Sequence, residues 1–166
     1  MKHAYLIMAY NNAEQLKKLI SLLDDERNDI FLHLDADSKI NEIDFSPFVT
    51  KSKLYKTDNV SVKWAQYSEV EAQNRLLKDA LSKGHYKYYH LLSGMDLPIK
   101  TQDEIHAFFD DKDKEFIAIK AIETAYNLSH VKYSYPLLNC KKFKKKKSLK
   151  VLEKVLVAIQ KVFGLN

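Results

Sequence analysis

The first 34 residues limit the fold more than any other part of the chain. "HAYLIMA", residues 3–9, is a continuous apolar run with aromatic and β-prone members, which reads as a buried parallel strand. In "NNAEQLKKLISLLDD", which follows, Leu16, Leu19, Ile20 and Leu23 recur at helical spacing, and Asn11 or Asn12 can cap the start. A second apolar run, Ile30–Leu34, comes next. Strand, helix and strand in so short a stretch make a βαβ unit.

The alternation continues down the chain. Residues 53–57 form a third strand candidate. Ser68 to Lys83 reads as a helix, with Ser68 and Glu71 as a capping box, Val70, Leu77 and Leu81 as an apolar stripe, and Gly84 as its stop. "YKYYHLL", 86–92, is a strand with "SGMDLPIK" as its exit loop. Thr101 with Glu104 caps a short helix to Phe109, and "EFIAIKAI", 115–122, is a further strand. Such a series predicts an α/β fold with a mostly parallel sheet. Parallel sheets bind ligands beyond the carboxyl ends of their strands. Three loops should therefore share one crevice: Tyr10-Asn11, Asp35–Lys39 and Ser93–Asp96.

Composition supports a folded body and sets the tail apart. The chain has 166 residues, one domain or part of a larger one, and its 46% hydrophobic content is enough for a core. The net charge of +5 hides two regions. Residues 138–166 hold nine Lys and one Glu, a net of +8, whereas residues 1–137 hold 18 basic and 21 acidic side chains, a net of −3. The expected organisation is an α/β region over 1–137 and a basic segment with an amphipathic helix over 138–166. Cys140 is the only cysteine, so no intrachain disulfide forms, which fits a reducing compartment. The Ala4–Ala9 run is too short to span a bilayer and lacks a cleavage-site pattern. The cytoplasm is the expected location, with the inner face of the membrane within reach of the tail.

Asp35-Ala36-Asp37 has two readings. Carboxylates at this spacing suit a hard divalent cation, but Asp and Ser also close turns by bonding nearby backbone amides. In "SGMDLPIK", Gly94 allows a tight turn or a close approach and Pro98 stiffens the exit, while Asp96 is not explained by punctuation alone. Trp64 and Tyr67 stand just before a helix, placed either to pack or to stack on a base or sugar. His33 and His90 lie within apolar strands and read as core residues, and no His/Cys spacing resembles a zinc site.

The tail runs from "KKFKKKKSLK" into "VLEKVLVAIQKVFGLN", where Val151, Leu152, Val155, Leu156, Ile159, Val162 and Phe163 share one helical face. Three partners suit it: an anionic membrane through Lys141–Lys147, nucleic acid, or apolar surface belonging to the same protein. No base-reading motif accompanies the charge, so nucleic acid is set aside. Packing is the favoured reading, and it predicts self-association through the 150–163 helix when no other surface covers it.

The segments "HAYLIMAYNNAEQLKKLISLLDDERNDIFLHLDADSK", "VKWAQYSEVEAQNRLLKDAL" and "YYHLLSGMDLPIKTQDEIHAFF" resemble the core-2/I-branching family of β-1,6-N-acetylglucosaminyltransferases, a group that includes the peptide O-xylosyltransferases. The soluble bacterial members look most similar. The resemblance implies a GT-A-like, Rossmann-like fold that transfers a sugar, GlcNAc or xylose, from a UDP-sugar to a glycan hydroxyl with inversion. It implies that Asp35 contacts the uracil and that Ala9, Tyr10 and Tyr67 belong to the nucleotide site. In GT-A folds the metal-binding Asp-x-Asp follows the fourth strand, so Asp35 and Asp37 are not that clamp. The loop at the clamp position, Ser93, Gly94 and Asp96, offers one carboxylate and is expected to face the donor sugar or diphosphate. Family members work without a metal, and no cofactor is expected. Glu123 matches, at approximate spacing, an acidic residue that contacts the acceptor.

The family's catalytic base and diphosphate-binding cations lie in its carboxyl-terminal half, which is expected beyond Asn166. The catalytic residue is therefore unassigned, with Asp96 and Glu123 the only candidates in this chain, and the chain could be inactive alone. The alternative reading is a non-catalytic module that binds nucleotide or membrane.

Overall fold

The structure, a computed structural model, describes residues 2–63, 66–116, 133–137 and 146–164. It divides by packing into two compact units, Met1–Asp113 and Lys114–Asn166. The charge pattern changes later, near residue 138.

The first unit contains β1 (His3–Ala9), α1 (Ala13–Leu23), β2 (Asn28–Leu34), β3 (Lys53–Lys56), α2 (Tyr67–Lys83), β4 (Tyr88–Ser93) and α3 (Gln102–Asp110). The sheet has the order β3-β2-β1-β4, and every pairing is parallel. This is the α/β, Rossmann-like arrangement of a GT-A fold. The two central strands are buried on both faces, with apolar runs at Ala4–Ala9 and Ile30–Leu32, because successive side chains serve opposite faces. Tyr5, Ile7 and Ala9 with Ile30, Leu32 and Leu34 pack on Leu16, Leu19, Ile20 and Leu23 of α1. Ala4, Leu6 and Phe31 pack on Leu76 and Ala80 of α2.

Caps and turns fix where these elements start and stop. Asn12 adopts φ 53° and its side chain accepts the Gln15 N–H at 3.3 Å, which opens α1. Asp24, at the other end of α1, accepts the backbone N–H groups of Thr50, Lys51 and Ser52 and the hydroxyls of Thr50 and Ser52 at 2.8–2.9 Å. Partial burial opposes its ionisation, but these donors outweigh that and hold its pKa well below the usual carboxylate range. One side chain thus anchors the turn that leads into β3. Thr101 and Glu104 form the expected capping box at α3.

The capping box expected at Ser68 and Glu71 is not formed. Helix α2 starts at Tyr67, its cap residue Gln66 makes no side-chain cap bond, and Glu71 instead pairs with Arg75 at 2.6 Å. The Ser68 hydroxyl accepts the Lys63 N–H at 2.8 Å, so a bond to the preceding loop replaces the capping bond. The strand expected over 115–122 falls mostly outside the described residues, as do Trp64, Cys140 and Lys141–Lys145.

In the second unit, residues 133–137 lie along α4 (Lys147–Phe163). Glu153 is 4% exposed, and both its oxygens accept the Leu137 N–H at 3.2–3.3 Å. Gln160 exchanges two bonds of 2.8 Å with the Ser134 backbone. The covered face of α4 therefore holds Glu153 and Gln160 beside the half-buried Leu149, Leu156 and Val157, so Leu156 leaves the expected stripe, whose other members lie elsewhere on the helix.

Candidate functional site

The strand order turns back at β1, since β2 lies on one side of it and β4 on the other. A parallel sheet opens a crevice at such a reversal, beyond the carboxyl ends of the two strands. A cavity of about 450 Å³ occupies this place, with Met8 and Tyr10 from the end of β1 and Leu91, Leu92 and Ser93 from the end of β4. Asp35 after β2, Val62 from the β3–α2 loop, and Glu69 and Gln73 of α2 complete its wall.

Asp35 is fixed by its neighbours. Its N–H donates to the Ala9 carbonyl at 2.9 Å, and its Oδ1 accepts the Asp37 N–H at 2.8 Å, a turn closed by the side chain. Its Oδ2 has no hydrogen-bond partner among the described residues. The carboxylate thus lines the cavity with one oxygen held and one open. Asp37 is used differently: it accepts the Ser61 hydroxyl at 2.7 Å and an ion pair from Lys63. That hydrogen bond raises the Lys63 pKa above its ordinary value. The two acids therefore do not converge on one point, and Asp37 serves to tie down the β3–α2 loop.

That loop is held from further positions. The Ala36 N–H donates to the Val60 carbonyl at 3.0 Å. The Val60 N–H donates to His33 Nε2 at 2.9 Å, which requires a neutral ring with its proton on Nδ1. Burial lowers the His33 pKa, against the opposing pull of Asp35. His33 is thus a core residue with a specific task, holding the loop that carries Val62.

The remaining expected site residues divide. Tyr10 lines the cavity and is 61% exposed, with its carbonyl accepting the Ser38 hydroxyl. Ala9 is buried beneath the site, linking Asp35 to Gly94. Gly94 donates to the Met8 carbonyl at 2.7 Å, and a Cβ built on it would lie 2.5 Å from the Ala9 Cβ. Glycine is needed there for close approach between β1 and the β4 exit. Asp96 accepts the Ser93 N–H at 2.8 Å, so its carboxylate closes this same turn. It lines a second cavity of about 290 Å³, with Tyr5 of β1, Leu23 of α1 and Phe109 of α3, rather than the one containing Asp35. Tyr67, the first residue of α2, is 73% exposed and does not line the cavity. Glu123 lies outside the described residues.

Sequence reasoning missed Glu69 and Gln73. Both sit near the amino end of α2, four residues apart and so on one helix face, and neither side chain bonds to the protein among the described residues. Their spacing was visible in the sequence; their direction depends on where α2 begins. The lining includes two carboxylates, Asp35 and Glu69, and no lysine or arginine among the described residues. Such a surface suits a neutral ligand with N–H and O–H donors better than an anion.

No curated protein sequence matches the chain significantly. The profile of the Core-2/I-Branching enzyme family, a glycosyltransferase family, matches residues 3–155, which include every element of the sheet and every lining residue of the cavity, and the chain belongs to that family.

Proposed function

We propose that the chain binds the uridine end of a UDP-sugar for an inverting glycosyl transfer, with GlcNAc or xylose as the sugar and a glycan hydroxyl as acceptor. The observation that carries this reading is the open Oδ2 of Asp35 in a cavity at the β1–β4 reversal. Uracil N3–H is a donor and that oxygen an acceptor. Met8, Val62 and Leu91 supply apolar surface for the flat base. Ser93 stands at the β4 end of the same cavity, where the loop to Asp96 begins.

Inverting transfer needs two further elements. The acceptor oxygen attacks the anomeric carbon while a base takes its proton, and UDP departs as negative charge grows on its leaving oxygen. The acidic lining gives no charge support to a diphosphate, so that support must come from cations outside this cavity. Asp96, one candidate base, already accepts the Ser93 N–H.

Titration calorimetry tests the reading. UDP should bind, Asp35→Ala should weaken it by about 1–3 kcal/mol, and EDTA should leave the affinity unchanged. Equal UDP affinity for the two proteins would remove Asp35 from the site, and a large loss in EDTA would return Asp35 and Asp37 to a metal role. Turnover of UDP-sugar separates a transferase from a non-catalytic module.

A further inference from the structure

Helix α4 presents two surfaces that remain unused. Val151, Leu152, Val155, Ile159, Val162 and Phe163 are 43–79% exposed and follow one another along a single face. From Val151 to Phe163 the stripe is about 18 Å long. Beside the stripe, Lys147, Lys150, Lys154 and Lys161 fall within a narrow arc of the helical wheel. Lys150, Lys154 and Lys161 also line a cavity of about 580 Å³ between α4 and Tyr135. None of these four lysines has a carboxylate partner among the described residues, although Lys161 lies over the Tyr133 ring. The one acid of α4, Glu153, is buried against Leu137.

This charge arrangement selects the occupant. A second copy meeting the stripe would bring a second set of lysines toward the first, with no exposed carboxylate on α4 to meet either. An anionic bilayer surface complements both parts: apolar side chains enter the boundary of the acyl region and lysines meet headgroup phosphates. No helix among the described residues is long and apolar enough to cross a membrane. The fitting orientation is therefore along the surface. We propose that α4 is an in-plane membrane-docking helix, with the apolar stripe embedded and the lysines beside it bound to anionic headgroups. The sequence adds Lys141, Lys142, Lys144 and Lys145 just before it, which strengthens the same attraction.

The test uses the full chain with two kinds of vesicle, one of phosphatidylcholine alone and one with about a third phosphatidylserine. The protein should cosediment with the anionic vesicles and not with the neutral ones. Binding should fall at least about tenfold as the Debye length shrinks from roughly 10 Å at 0.1 M salt to about 3 Å at 1 M. Ile159→Asp should abolish it through the stripe, and the double variant Lys150→Glu with Lys154→Glu should abolish it through charge. All three side chains are partly or largely exposed, so circular dichroism should show the helix retained. Sedimentation velocity without lipid adds an independent reading, with a monomer expected. Failure to bind vesicles, equal binding to both compositions, or a salt-insensitive dimer would each overturn the proposal.

Discussion

The two ends of the parallel sheet are both rich in polar side chains, yet they differ in what those side chains do. At the amino ends of the strands, Asn28, Asp29, His3 and His106 are buried and bonded mostly to one another or to nearby groups. Asp29 accepts Lys2 and the Tyr86 hydroxyl, each at 2.8 Å. His3 Nδ1 shares a proton with His90 Nε2 at 3.1 Å, and its ring stacks on His106 at 4.2 Å. Only His3 Nε2 lacks a partner in this group. At the carboxyl ends, Tyr10, Asp35, Glu69 and Gln73 line an open cavity, and Asp35 and the two α2 residues retain unused hydrogen-bonding atoms. Polarity alone therefore does not mark a site. Polar groups that satisfy one another hold the fold, and polar groups that face a cavity without partners are available to a ligand.

The comparison is broken most directly at Asn28. Its Nδ2 donates to the Leu23 carbonyl at 2.9 Å and to Gln102 at 2.8 Å, and its Oδ1 accepts from His106 Nε2 at 2.9 Å. Asn28→Ala strands these groups in a buried setting and should cost about 2–4 kcal/mol in denaturant unfolding. UDP affinity of the remaining folded protein should not change. A stability loss below about 0.5 kcal/mol would show that water replaces the amide and that this end is not closed.

Acid should act on the same end. Burial, with His106 and His90 close by, pushes the His3 pKa down to about 3, and burial with His106 pushes His90 down to about 4. Unfolded histidine titrates near about 6.5, so below that pH the unfolded chain binds more protons than the folded one. Stability is then complete above about 6.5 and falls as the pH drops toward 4. Thermal unfolding across this window should show the decline, and His3→Phe should flatten it. A melting temperature constant over the window would refute the depressed titration.

At the open end, Gly94→Ala tests packing rather than chemistry. The added methyl group would lie 2.5 Å from the Ala9 Cβ, so one of the two strand exits must move. An overpacking cost of about 1–3 kcal/mol is expected, with weaker UDP binding because Ala9 also holds the Asp35 N–H. Unchanged stability would mean that this turn relaxes without effort.

Much of this was legible because local and tertiary demands agree. The run His3–Ala9 became a strand with the same limits, and the Thr101–Glu104 box formed as written. Disagreement arose where partners outside the local pattern decide. Strand β2 starts at Asn28, two residues before its apolar run, because Gln102, His106, Lys2 and Tyr86 satisfy Asn28 and Asp29 from afar. Ser68 left its expected cap for the Lys63 N–H. The loop containing Asp35 was readable from topology, whereas Tyr67 is exposed and Glu69 lines the cavity on a helix that opens two residues earlier than its capping signal suggested. The apolar stripe of α4 was equally plain, but nothing in its periodicity indicated that Glu153 and Gln160 would lie on the covered face, with Leu156 beside them.

The smallest effect is expected at Glu69, and its sign carries the information. Glu69 is an exposed acid on the cavity rim, and UDP would bring its own negative charge near it. Glu69→Gln keeps the shape and an acceptor oxygen but removes the charge. If the cavity takes uridine and directs the diphosphate outward, uridine affinity should stay the same and UDP should bind tighter by about 0.3–1 kcal/mol, the scale of an exposed charge interaction. Added salt should shrink the difference between wild type and variant, because a surface repulsion is screened. Weaker binding of both ligands would instead make Glu69 a hydrogen-bond acceptor for the ribose hydroxyls. Weaker binding of UDP alone would mean that Glu69 holds a cation which the diphosphate needs, and the acidic rim would then belong to the diphosphate site.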